Sequence, residues 1–176
     1  MNAVPKGLVA LLLSSGVVGA QQGVSTVSTV STLERLAVDT AIKRAVQRVT
    51  PGVRIVIDPM IVRANEAPSY HDITVREPSR TRYLAEAFHG RSLPRDSVID
   101  CRARVCRMRD ADVLVTMSEP AIVGDRATVT VTTMVPVHGL SRGQVPIETQ
   151  YRTVIVHFQR SGAAWQVVGL DDLGMS

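Results

Sequence analysis

Few residues of this sequence are equipped for chemistry. The imidazoles are His71, His89, His138 and His157, and the thiols are Cys101 and Cys106. No two histidines stand at the spacing of a helical metal clamp and none neighbours a cysteine, so no metal ligand set is expected. His71-Asp72 has the composition of an orienting pair for general base work. His157 stands in line with Tyr151, Thr153 and Gln159 on the polar side of an alternating segment. That face suits a ligand pocket, a homodimer contact or plain solvent. No Gly-x-Ser-x-Gly elbow, phosphate loop or dinucleotide fingerprint occurs, and no cofactor is expected.

The cysteines lie in Asp100-Cys101-Arg102-Ala103-Arg104-Val105-Cys106-Arg107. Four residues between two strand ends would make a tight hairpin, with the flanking cysteines opposite each other. A structural disulfide Cys101–Cys106 is the expectation, worth about 2 kcal/mol for so small a ring. The spacing is not that of a redox-active Cys-x-x-Cys pair. The same stretch holds Arg91, Arg95, Arg102, Arg104, Arg107 and Arg109, interrupted by Asp96, Asp100 and Asp110. Arg102, Arg104 and Arg107 are the candidates for gripping carboxylate or phosphate groups of a polyanion. The simpler alternative is a charged edge that discourages strand-to-strand aggregation.

Residues 1–20, MNAVPKGLVALLLSSGVVGA, place Lys6 before an apolar run of 12 residues and end on small side chains. This is the layout of a secretory signal peptide, and the run is short of the roughly 20 residues of a permanent span. Retention as an anchor is the alternative. Cleavage would leave 156 residues of net charge +3, in a secreted or periplasmic setting where disulfides persist. Export removes most of the case for nucleic acid. So does an aromatic content of 3%, which supplies no stacking platform. No later stretch is long and apolar enough to span a membrane.

The elements that must position these residues follow from periodicity. Residues 21–31, with VSTVSTVST over 24–32, predict an extended Ser/Thr/Val-rich linker. Ser31-x-x-Glu34 has capping-box spacing and starts a helix whose stripe is Val38, Ala41, Ile42, Ala45, Val46 and Val49. Pro51-Gly52 ends it. A strand over 53–57 stops at Asp58-Pro59, and 60–77 reads as a long loop. A second helix spans 78–89, with Pro78 in its first turn and Gly90 as a left-handed cap. Beyond Val98 the period is two, with turns at Gly124-Asp125 and Ser161-Gly162 and with Asp171-Asp172 as a solvated end. The expected fold is a single α+β domain over 32–176. Two helices pack on one face of a curved antiparallel sheet of four to six strands.

Two helices followed by long strands, with Gly124-Asp125-Arg126-Ala127-Thr128-Val129, then 151–159, a turn and Trp165-Gln166-Val167, resemble the nuclear-transport-factor-2-like, cystatin-like superfamily. The resemblance covers about residues 32–172 by pattern. It implies a sheet wrapped into a cone with an open mouth. In enzymes of that type an Asp or His in the mouth moves a proton, which marks Asp58, His71, Asp171 and Asp172 for inspection. The expected function is non-catalytic binding of a small ligand or protein partner, with Asp58, His71, Tyr151 and His157 as ligand candidates. One alternative is a small cone-fold enzyme with an Asp/His proton-transfer or hydrolytic pocket. The other is binding of envelope polyanions through the arginine hairpin.

Overall fold

The computed structural model describes residues 21–46, 52–61, 74–102, 105–136 and 149–175. The first helix, α1, runs Gln21–Ala45. The extended linker expected over 21–31 is therefore helical. Packing of Leu33, Ala37, Val38, Ala41 and Ile42, all buried, fixes the C-terminal half. Each residue added toward the N-terminus then gains one hydrogen bond for one ordered residue, which outweighs the modest propensity of Val, Ser and Thr. Glu34 is inside this helix and caps nothing.

Strand β1 (Ile55–Ile61) continues through Asp58-Pro59 instead of stopping there. Its register shifts between Ile57 and Ile61, and this irregularity accommodates the proline. The expected loop ends in a two-residue strand, β2 (Thr74–Val75); His71 and the rest of 62–73 lie outside the described residues. Helix α2 spans Pro78–Ala87. The Glu77 carboxylate accepts hydrogen bonds from the Ser79 and Arg80 amides, and this holds its pKa below the ordinary value, the Ser79 hydroxyl contributing most. At the other end the left-handed residue is His89, with φ 50°, and not Gly90. The amide of His89 reaches the Glu86 carbonyl and that of Gly90 reaches the Ala85 carbonyl, a Schellman closure.

There follow β3 (Arg91–Ser92), the single turn α3 (Arg95–Val98), and the hairpin β4 (Ile99–Arg102) and β5 (Val105–Met108). Next come β6 (Val113–Met117), β7 (Ala121–Val123), β8 (Arg126–Pro136), β9 (Thr149–Ser161) and β10 (Ala164–Met175). The main sheet has eight strands, in the order β10-β9-β8-β6-β1-β2, with β3 on β1 and β7 on β8. It is larger than expected, and it is mixed: β1 pairs in parallel with both β6 and β3. Both returns to β1 run through α2, a crossover that makes parallel neighbours possible.

One face of the sheet is covered by α1 and α2. There Ile55, Ile57, Val113, Val115, Val129, Val131, Val154, Val156 and Phe158 form the main core. The other face is not bare. Val56, Leu114 and Met134 pack there against Val98 and Ala111, beneath α3 and the hairpin. Strands β1 and β6 are thus buried on both faces, which explains their unbroken apolar runs.

The far end of the sheet is tied to α1 by charge. The expected solvated end at Asp171-Asp172 is part of β10. Asp172 accepts hydrogen bonds from Arg152 and from the Arg44 side chain, and Arg152 also donates to the Arg44 carbonyl. The Arg152 contact, aided by the Gly174 amide and Arg44, lowers the Asp172 pKa to about 2 from its ordinary 3.8. A carboxylate with a depressed folded-state pKa stabilises the fold above its unfolded value and loses that contribution as pH falls. Wild-type stability is therefore expected to drop between about pH 4 and pH 2 more than that of Asp172→Asn. Urea midpoints measured across that range check this, and equal slopes for the two proteins would refute it.

Candidate functional site

The densest group of charges is internal. Glu34 in α1 is fully buried, and it faces Arg76, which joins β2 to α2, and Arg80 in the first turn of α2. Arg76 donates Nε to the Glu34 carboxylate at 2.9 Å, Nη1 to the Asp58 carbonyl at 2.8 Å and Nη2 to the Met117 carbonyl at 3.5 Å. Arg80 donates to both Glu34 oxygens, at 2.7 and 3.2 Å, and to Glu119 at 2.7 Å. Burial alone would lower the Arg80 pKa; the hydrogen bonds to Glu119 and Glu34 carry it above its ordinary value. Two carboxylates meet two guanidiniums, and the cluster bolts α1, α2 and the β1–β6 pair together. Glu34 and Arg76 are fully buried and held by hydrogen bonds within the cluster and to neighbouring carbonyls, which makes it a support for the fold.

Beside this support lies a groove of about 380 Å³ between β2, α2 and β3. Pro59, Val75, Pro78 and Ala85 give it an apolar floor. The groove opens because β1 is covered on this edge only by two short strands, which leave its middle to face α2. Arg76 closes the inner end with its charge already neutralised. Arg82 and Arg91, both exposed, are also among its lining residues. The Arg91 guanidinium donates to the Asp110 carbonyl, and among the described residues no carboxylate pairs with Arg82 or Arg91.

The residues marked by sequence fall elsewhere. Asp58 is buried, and burial raises its pKa. Its carboxylate accepts the amides of Met60 and Arg95, so it holds the β1 irregularity and the start of α3. Tyr151 packs against the second core under the hairpin. His157 hydrogen-bonds Asp171 at 2.7 Å on the side of β9 and β10 away from α1. That pair orients an imidazole, yet among the described residues no hydroxyl or thiol is hydrogen-bonded to it. Asp58 and His157 do not converge, because β6 and β8 separate their strands by about 14 Å. His71 and Arg104 lie outside the described residues. Arg107 is exposed and opposite Asp100, and strand pairing continues one step past the cysteines to Arg102–Val105, within the four-residue loop that was expected. Among the described residues no cluster suited to a metal ion is present.

Sequence reasoning missed Glu34, Arg76 and Arg80 as a unit. One signal was available. Glu34 stands four and seven residues before Val38 and Ala41, on the apolar stripe itself, and a carboxylate there requires a buried partner. No family profile, curated protein or solved structure matches this chain.

Proposed function

We propose that this chain is a secreted or periplasmic, non-catalytic α+β domain of the nuclear-transport-factor-2-like, cystatin-like type, and that it binds a small ligand in the groove between β2, α2 and β3. The observation that carries this reading is an apolar recess lined by Pro59, Val75, Pro78 and Ala85. Its volume is at the small end of ligand sites, in the range of a compact molecule. A screen of small acids and alcohols by saturation-transfer NMR tests the reading. Hits are expected to disappear in Val75→Trp, which fills the groove from an exposed position, and to persist in Ile155→Trp on the distant face. Equal loss in both variants, or turnover of a screened compound, would overturn it.

The export reading has its own check. The signal segment 1–20 lies outside the described residues, and no helix among the described residues is long and apolar enough to cross a membrane. The register sets Cys101 opposite Cys106. Directly opposed residues have Cα atoms about 4.5 or 5.5 Å apart, within the span of a disulfide. Protein taken from an oxidising compartment is expected to resist alkylation at both cysteines until it is reduced. Ready labelling of the unreduced protein would contradict the disulfide.

A further inference from the structure

We infer that Gln21 becomes the amino terminus of the exported chain and closes there into a pyroglutamate. This inference rests on the export reading and adds a covalent modification to it. Val18-Gly19-Ala20 ends on the small residues of a cleavage site, so the cut falls between Ala20 and Gln21. A terminal glutamine carries an amine and a carboxamide that can meet in a five-membered ring. The neutral amine attacks the side-chain carbonyl carbon Cδ. An N–Cδ bond forms, the Cδ–Nε2 bond breaks, one amine hydrogen passes to the departing nitrogen, and ammonia leaves. The step needs no oxidant or co-reactant. An α-amino pKa of about 8 keeps on the order of a tenth of the amine neutral at pH 7. Gln22 cannot react in this way, because its nitrogen is in peptide linkage. The fold favours the product. Gln21 is the first residue of α1, and the first turn of that helix holds no acidic side chain. A free ammonium there would stand at the positive end of the helix dipole without a counter-charge, whereas the lactam is neutral. The lactam ring encloses N and Cα as the ring of proline does, and proline suits the first helical position.

The full chain, expressed with residues 1–20 and recovered from the periplasm of a bacterial host, tests this by intact mass and by sequential amino-terminal degradation. The mass is expected to fall one ammonia short of Gln21–Ser176, and degradation is expected to be blocked at the first residue. Gln21→Ala, cut at the same bond, is expected to show its full mass and to read from position 21 into Gln22 and Gly23. Amide exchange from Ser25 to Thr29 reads the helix. It is expected to slow about two- to fivefold between freshly processed and fully cyclised chain, as removal of one unfavourable charge from a helix end requires. Unchanged exchange would overturn the placement of the lactam on α1. A chain that starts at Gln21 and keeps a readable amine after prolonged incubation at neutral pH would overturn the modification and leave export standing. Retention of residues 1–20 would overturn the export reading and the inference with it. A mass deficit that persists in Gln21→Ala would place the loss at another residue and overturn the assignment.

Discussion

Glu34→Gln is expected to destabilise the folded protein by about 3–5 kcal/mol, the usual result of breaking a buried ion pair by removing one partner. The substitution keeps the shape of the side chain and removes its charge. Arg76 is 1% exposed, and among the described residues Glu34 is the one carboxylate it hydrogen-bonds, so its charge would be left to backbone carbonyls and to the Asp58 carboxylate nearby. Arg80 would keep Glu119 alone. Glu34 also links three separate parts of the chain, since its partners are 42 and 46 residues away. The double variant Glu34→Leu/Arg76→Met is expected to recover most of the loss, because apolar side chains of similar volume often replace a buried pair at little cost. Urea denaturation of the three proteins measures this. A loss under about 1 kcal/mol for Glu34→Gln would mean that the pair is solvated in solution.

The second large effect is expected at Gly90. A Cβ built there would lie 2.5 Å from the Ile55 carbonyl oxygen and 3.2 Å from its carbon. The obstacle is backbone, and that backbone is held by pairing of Ile55 with Val113. Neither side can yield without opening the sheet, so Gly90→Ala is expected to cost about 1–3 kcal/mol, as other forced insertions into packed structure do. Elsewhere a glycine-to-alanine change at a tolerant position stabilises by about 0.4–1 kcal/mol, so even the sign is informative. Because Gly90 precedes Arg91 and lines the groove, the same change is expected to weaken ligand binding. A Gly90→Ala protein as stable as wild type would show that β3 is not seated against β1 as described.

Local pattern was enough for the elements that local pattern controls. Pro78 started α2, and the Gly124-Asp125 turn fell between β7 and β8, whereas the turn expected at Ser161-Gly162 is Gly162-Ala163, Ser161 still pairing in β9. The alternation also gave the correct inward set on β8 and β9, where Val129, Val131, Val154, Val156 and Phe158 are buried. What escaped depends on distant partners. Ser31-x-x-Glu34 satisfied a capping rule, but helix propagation beyond Ser31 left Glu34 in the interior to meet Arg76 and Arg80. The second covered face was announced by Ile55-Val56-Ile57 and Val113-Leu114-Val115, which do not alternate. Their parallel pairing was not legible, because it depends on the route of the chain through α2. The groove escaped for the same reason, since it exists only where β2, α2 and β3 meet against β1.

A small ligand is expected to sit in the groove between β2, α2 and β3. Amide NMR spectra recorded while a compound found by the saturation-transfer screen is titrated in decide this. The expected shifts cluster at Val75, Arg82, Ala85, Arg91 and Ser92, around the groove, with His157, Asp171 and Thr130 unmoved. Shifts centred on the His157–Asp171 face, with the groove amides unchanged, would contradict it.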